Sequence, residues 1–322
     1  MKIYLKYIFL CVHWVVFSQQ VQLLDSASGE PVSFATIAFG NGWGTHADAN
    51  GKFTYSEKLF VGIDTLYISA VGYGDIQIPV PPKETVYKMT VFAEQLGEVI
   101  LTTFPDGKYK PFEIKPISHS EYHDSWMQTV ESEIAVLISK PSDKPAHLTK
   151  LYLPVNVQEN VQGKKIDIRS FATMMRVNFY ENDQGKPGRE LSHGNIVFIV
   201  TEKNVQEVYT LDVSSYKILI PKDGIFVSIQ VLGPTDSAGD LLQTRTYNEF
   251  ETKQGITRVA ISFRPLLPMT NTLRGEKTFV RRVFLDDKSW HTFNIQQNPN
   301  SLLLRRGFNN YGMGARMHIY ND

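Results

Sequence analysis

The chain has 322 residues, 42% of them apolar, with Lys+Arg 33 balanced by Asp+Glu 33. Those values suit one large or two medium domains with substantial cores and exclude disorder of the whole chain. A net charge of zero gives no general pull towards phosphate backbones or anionic lipid, so neither nucleic acid nor a membrane surface is an expected partner.

Residues 1–18, "MKIYLKYIFLCVHWVVFS", place Lys2 and Lys6 before an apolar run from Tyr7 to Phe17 and end on small Ser18. This is the layout of a signal peptide cut after Ser18. The run is shorter than the roughly 20 apolar residues of a spanning helix, and no later stretch reaches that length, so no transmembrane segment is expected after signal removal. The only cysteine, Cys11, lies inside the leader, which leaves the mature chain without thiol or disulfide chemistry. Bulky Phe9 and Leu10 before it argue against lipidation there. Cysteine-free export with a large core points to the periplasm or cell surface of a Gram-negative bacterium rather than to a small disulfide-stapled module.

Residues 19–101 read as a first domain. Short apolar runs such as "VQLLD", "SFATIAFG", "GKFTYS", "DTLYISAVGY" and "TVYKMTVF" are punctuated by Gly, Pro and Asp, which predicts an antiparallel sandwich without amphipathic helices. Within it, "THADANGKFTYSE" (45–57) approximates a calcium loop: Asp48 and Asn50 take loop positions 3 and 5, Gly51 the turn and Glu57 position 12. His46, however, replaces the first carboxylate, and Phe53 and Tyr55 alternate as in a strand. The expectation is a hairpin turn with Asn50 and Gly51 at positive φ and the Asp48 carboxylate capping backbone amides. "GNGWG" (40–44) lacks the helix and acidic partner of a dinucleotide site and reads as a loop between strands.

Three motifs in order carry a resemblance: "DSASGEPVSFATIAF" (Asp25, Gly29, Glu30, Pro31, Ala35), "GTHADANGKF", and "DTLYISAVGY" (Asp64, Leu66, Ser69, Gly72, Tyr73). Together they resemble the carboxypeptidase-regulatory-like domain, a prealbumin-type sandwich at the front of many Gram-negative envelope proteins. The closing "EQLGEVILT" is similar to the element that often joins this domain to the plug of TonB-dependent transporters. Some 220 residues follow, too few for a plug and a transporter barrel. The resemblance implies an accessory module and brings no catalytic residues.

Residues 102–130 are Pro-rich and irregular, which predicts a linker. Residues 131–322 return to strand patterns. Val177 and Phe179 alternate with Arg176, Asn178 and Tyr180, and Ile225, Val227, Ile229 and Val231 alternate with smaller or polar residues, predicting one face buried and one face wet. Arg281-Arg282 and Arg305-Arg306 read as solvated edges. "RVNFYENDQGKPGREL" and "LDVSSYKILIPKDGIFVSIQVL" resemble a jelly-roll-like second domain that accompanies the regulatory-like domain. "DQGKPG" is expected to be a turn. The expected fold class is therefore all-β: two tandem antiparallel sandwiches, prealbumin-like and then jelly-roll-like.

Catalytic signatures are absent from the sequence. There is no His-x-x-Glu zinc pair, no Gly-x-Ser-x-Gly elbow and no phosphate-binding Gly-Lys-Ser/Thr loop. One cluster invites metal chemistry: in "HSEYHD", His119, Glu121 and His123 would share a side if the segment were extended. The competing reading is a polar linker whose histidines are solvated or cap backbone. Trp43, Trp126 and Trp290 are candidate platforms for sugar rings, against the alternative that each is a core or rim residue. The sequence thus predicts no enzyme and no cofactor: an exported interaction or structural module with an envelope protein or peptide as partner. A glycan-binding module and a metal-dependent hydrolase built on His119, Glu121 and His123 are the alternatives.

Overall fold

The computed structural model describes residues 18–56, 60–92, 107–161, 164–166, 170–253, 255–285 and 287–321. The leader up to Phe17 and the "EQLGEVILT" element lie outside the described residues.

The first sandwich contains β1 (Ser18–Asp25), β2 (Thr36–Ala38), β3 (Gly44–His46), β4 (Lys52–Ser56), β5 (Thr65–Ser69), β6 (Ile76–Pro79) and β7 (Val86–Met89). Its two sheets run in the order β4-β1-β7 and β3-β2-β5-β6. Pairing is antiparallel except that β1 runs parallel to β7, with Leu23 beside Tyr87. The period-2 pattern of the sequence sends Val21, Leu23, Phe53, Tyr55, Ile37, Leu66 and Ile68 into one core.

The segment that mimics a calcium loop is a corner between the sheets, not a hairpin, because β3 pairs with β2 whereas β4 pairs with β1. Asp48 Oδ1 accepts from the backbone N–H groups of Asn50 and Lys52, both at 2.8 Å. Gly51 takes φ +67°, while Asn50 does not share the positive φ expected of it. A Cβ at Gly51 would stand 2.5 Å from the Leu23 carbonyl oxygen, so the corner needs glycine for space as well as for φ.

The second sandwich comprises β8 (Tyr109–Ile114), β9 (Ser125–Thr129), β10 (Ser132–Ile138), β11 (Ala146–Pro154), β12 (Glu159–Val161), β13 (Lys164–Ile166), β14 (Ala172–Asp183), β15 (Lys186–Thr201), β16 (Val208–Asp212) and β17 (Ile225–Pro234). It continues with β18 (Tyr247–Thr252), β19 (Gly255–Ala260), β20 (Ser262–Thr270), β21 (Thr278–Arg282), β22 (His291–Thr292), β23 (Asn310–Tyr311) and β24 (Gly314–Tyr320), with one short helix, α1 (Leu302–Arg305). A six-stranded sheet, β15-β14-β17-β10-β21-β22, faces the sheets β16-β11-β24-β8 and β23-β20-β9. Val136, Val177, Val227 and Ile229 from the first meet Leu148, Leu151, Met317 and Met269 from the others in one core. Gln184 (φ +51°) and Gly185 (φ +87°) form the two-residue turn between β14 and β15, the twist that a tight hairpin demands.

Of the linker expected at 102–130, the described part, 107–130, is built into the second sandwich: β8 pairs with β24 and β9 with β20. Its Pro111 misled the reading; β8 is the outermost strand of its sheet, where a missing N–H costs no ladder bond. The supposed wet face of β14 and β17 is also dry. Arg176, Asn178, Tyr180, Phe226, Ser228 and Gln230 are all buried, because the first sandwich and neighbouring side chains cover that face.

Candidate functional site

The covered face of the six-stranded sheet carries a polar network whose members come from four adjacent strands. Glu133 on β10 is fully buried. Its Oε1 accepts from Asn178 Nδ2 (3.0 Å), Tyr180 Oη (2.7 Å) and Ser228 Oγ (2.5 Å), and its Oε2 accepts from Arg281 Nε at 2.8 Å and lies at ion-pair distance, also 2.8 Å, from Nη2. Burial alone would raise this carboxyl, but Arg281 and the three neutral donors outweigh it and hold Glu133 below the ordinary range. Arg281 also donates to Tyr180 Oη at 2.7 Å and lies over the rings of Trp290 and Tyr180, 4.7 and 5.0 Å from their centroids. Arg281 is therefore a structural cation and not the solvated edge residue that the sequence predicted.

Beside this pair stands Glu190 on β15, 4.0 Å from Arg281 Nη2. Burial, followed by the charge of Glu133, pushes the Glu190 carboxyl up to about 7, against the pull of Arg281 and Arg176. Two carboxyls around one guanidinium are thus driven apart in acidity, one ionised and one titrating near neutrality.

Further along the seam the two sandwiches are stitched together. Arg176 donates to Gln230 Oε1 through Nε (3.2 Å) and Nη2 (2.6 Å), and through Nη1 to the carbonyl of Phe34 in the first sandwich (3.1 Å). Gln230 also meets His46 Nε2 at 3.1 Å, while Gln243 takes the N–H of Thr54 and donates to the carbonyl of His46. Phe34 has φ +55°, a strained conformation for a bulky residue, and its ring packs with Met174, Leu232 and Leu241 of the second sandwich. His46 is fully buried against Phe284; burial and the Arg176 charge push its imidazole down to about 3. Between these contacts remains an open cleft of about 310 Å³, bounded by Ser33, Ser69 and Val71 on one side and by Arg176, Glu190 and Lys288 on the other.

A second feature is the hairpin β18–β19, a two-stranded sheet of its own. Its base is anchored by Tyr247, which packs on Trp43 of the first sandwich (centroids 4.8 Å apart) beneath Arg258. Its outer part is solvent-facing, with Phe250 52%, Ile256 69% and Val259 50% exposed. The register pairs Asn248 with Val259 and Phe250 with Thr257, so Phe250 and Val259 share one face and Ile256 occupies the other.

The residues singled out from sequence do not assemble into a site. His119 Nε2 lies 2.7 Å from the Met269 carbonyl and its Nδ1 accepts from the Glu121 N–H at 3.1 Å, which engages both ring nitrogens. The segment is not extended: Tyr122–Asp124 form a 3-10 turn, which breaks the alternation that would align Glu121 and His123. Among the described residues no group of three or more His, Cys, Asp or Glu could hold a metal. The tryptophans are half-buried anchors: Trp43 on Tyr247, Trp126 on Phe293, Trp290 on Tyr180. Glu133 and Glu190 carry no motif in the sequence, while Arg176 reads as part of a wet face and Arg281 as a solvated edge. The signal available was a set of opposite charges beside apolar strand residues: Glu133 before Ile134, Arg176 between Met175 and Val177, and Arg281 after Phe279 and Val280.

No family model matches the chain, and no curated protein matches it. Among solved structures, the cysteine protease and lectin-like domains of Cwp84, a surface layer associated protein of Clostridium difficile, align over 95% of this chain at 11% identity and a TM-score of 0.29. A structure of the same protease after propeptide cleavage gives 10% identity over 95% of this chain and 71% of its own, with a TM-score of 0.29. BcpA, the major pilin subunit of Bacillus cereus, gives 10% identity, coverage of 86% and 93%, and a TM-score of 0.14. This chain spans 63% of the length of the first of these. Similarity at this level is too low to carry fold or function across.

Proposed function

We propose that this chain is an exported, non-catalytic module of a Gram-negative envelope that binds a protein or peptide partner. The observation that carries the reading is the β18–β19 hairpin: a two-stranded ladder leaves a row of unpaired backbone groups along each outer edge, and here those edges are flanked by exposed Phe250, Ile256 and Val259. An extended segment of a partner adds to such an edge by main-chain hydrogen bonds, with alternate side chains lying on the apolar residues. The seam beneath makes the hairpin base a fixed platform rather than a loose arm.

The same reading takes the first sandwich as a carboxypeptidase-regulatory-like domain and the second as its jelly-roll-like companion. Supporting the first assignment, the motif residues at a distance in sequence meet in space: Tyr73 Oη donates to Asp25 Oδ2 at 3.0 Å, and Asp25 Oδ1 caps the N–H groups of Ala27 and Ser28. The glycan reading loses its platforms, since Trp43, Trp126 and Trp290 are packed against other rings. The hydrolase reading loses His119 to backbone partners.

The test is a photo-crosslinking side chain placed at Val259 in the intact envelope, with the same group at Leu302, 72% exposed on the short helix α1, as control. A discrete protein adduct at position 259, absent at 302 and lost in a Phe250→Ser/Ile256→Ser variant of unchanged melting temperature, is expected. Equal labelling at both positions, or none at 259, overturns the reading.

A further inference from the structure

The cleft between the sandwiches has a charge arrangement that the hairpin reading does not use. Three cations, Arg176, Arg281 and Lys288, line it together with two carboxyls, Glu133 and Glu190. Glu133 is spent: both its oxygens are saturated by Arg281, Asn178, Tyr180 and Ser228. Arg176, only 8% exposed, directs its bonds to a neutral amide oxygen and a backbone carbonyl, and Glu190 feels its charge without closing to ion-pair distance. Lys288 holds only the hydroxyl of Ser69, at 3.0 Å, among its described contacts. A buried guanidinium without a carboxylate is costly, because an unpaired charge loses its hydration without an equivalent partner.

We infer that the cleft is a binding site for a small carboxylate-bearing molecule, whose anionic group is received by Arg176 and Lys288 with Glu190 as a proton-sharing neighbour. At about 310 Å³ the space lies at the lower end of the roughly 300–1,000 Å³ typical of small-molecule sites. Three of the five Arg176 N–H groups are engaged by Gln230 and Phe34, which leaves one on each Nη for the two oxygens of a planar carboxylate. A doubly charged phosphate suits the site less, since Glu133 stays ionised nearby. The remaining wall supplies neutral hydrogen-bonding groups, Asn178 and Asn195, which suit the hydroxyl or amide groups that accompany a carboxylate in an acidic sugar or at a peptide C-terminus.

Glu190 makes the site pH-dependent in a definite direction. The charged and titratable groups facing it are Glu133 from β10, Arg176 and Tyr180 from β14, and Arg281 from β21. With its carboxyl held near 7, Glu190 is mostly protonated at pH 6, where it donates to a ligand carboxylate. At pH 8 it is mostly ionised and repels one. The protonated fraction falls about tenfold between those values, so affinity for an anion falls by about the same factor.

The experiment is isothermal titration of the full mature chain at pH 6 and pH 8 with D-glucuronate and with N-acetylglycine as probes, and with glucose and inorganic phosphate as controls. One carboxylate probe is expected to bind saturably, about tenfold more weakly at pH 8, and the preferred probe separates an acidic-sugar source from a chain-terminus source. Lys288→Met, at the rim of the cleft and checked for an unchanged melting temperature, should weaken binding at least fivefold. Glu190→Gln should still bind but lose the pH dependence, because an amide donates at both pH values. The inference is overturned if neither carboxylate gives saturable heat, if glucose or phosphate binds as well as both carboxylates, or if Lys288→Met binds like the parent chain.

Discussion

Glu133 and Arg281 sit directly opposite each other in the β10–β21 ladder, and the Arg281 guanidinium meets one carboxylate oxygen with both Nε and Nη2 at 2.8 Å. The pair is the hub of the covered sheet face: the other oxygen of Glu133 gathers side chains from β14 and β17. Removing the cation leaves a fully buried carboxylate without its charge partner. Arg281→Met is therefore expected to lower stability by about 3–5 kcal/mol in urea unfolding. Glu133→Gln should cost less, because Glu190 stands 4.0 Å from Arg281 and can take its place. The reverse order of the two losses would show that Glu133 is not the group that needs the pair. Because the folded state holds Glu133 below its unfolded value, its stabilisation is full above the ordinary glutamate range near pH 4.5 and is lost as pH falls below it.

His46 gives a second acid sensitivity at a higher pH. Its imidazole, near 3 in the folded chain against an ordinary 6.5, is neutral at the seam. Between those values the unfolded chain binds the proton and the folded chain does not, so stability is full above about pH 6.5 and falls as pH drops towards 3. One such group contributes a loss of about 2 kcal/mol between pH 7 and 5. His147, pushed down to about 4 by burial and then by His318, acts in the same direction. A His46→Gln variant should show a shallower decline of the urea midpoint over this range. An unchanged slope would mean that His46 is hydrated when protonated.

Gly44 tests how tightly the sandwiches are fitted. A Cβ there would stand 2.4 Å from the Ile37 carbonyl oxygen and 2.4 Å from Phe284 Cδ1. Neither atom has room to retreat, since the first is backbone within the β2–β3 ladder and the second is a fully buried ring. Gly44→Ala should cost about 1–3 kcal/mol through overpacking, read as a lower thermal midpoint. A variant as stable as the parent would mean that the seam opens freely there.

Strand positions and turns were legible because alternation and turn chemistry are local. Phe53 and Tyr55 alternate inward on β4, Gly51 turns at positive φ, and Gln184-Gly185 closes a hairpin. What alternation cannot tell is what covers the polar side of a strand. Arg176, Asn178 and Gln230 read as a wet face because solvent is the ordinary neighbour of such residues, yet here the neighbour is a second sandwich with its own polar groups aimed at them. The same limit hid the candidate site. Glu133, Arg176 and Glu190 are 14 or more positions apart in a chain whose register and domain contacts bring them to one cleft. The histidine cluster failed for the opposite reason: its spacing suggested a strand, but Tyr122–Asp124 turn and His119 is committed to Met269.

The corner at Asp48 and the His119 segment yield a joint prediction about metals. In both, the groups that would ligate are already engaged with backbone: Asp48 Oδ1 holds two N–H groups, and both nitrogens of His119 have partners. A metal would have to displace these bonds in order to bind. The melting temperature of the chain purified without chelator should therefore be indifferent to excess EDTA and to added calcium, and elemental analysis should find no stoichiometric zinc or iron. Asp48→Ala should instead cost about 1–2 kcal/mol, because two backbone donors lose their acceptor in a half-buried corner, and that cost should be the same with and without calcium. A calcium-dependent difference between Asp48→Ala and the parent would reinstate the loop as a cation site, whereas zinc or iron lost in a His119→Ala/His123→Ala variant would reinstate the histidine cluster.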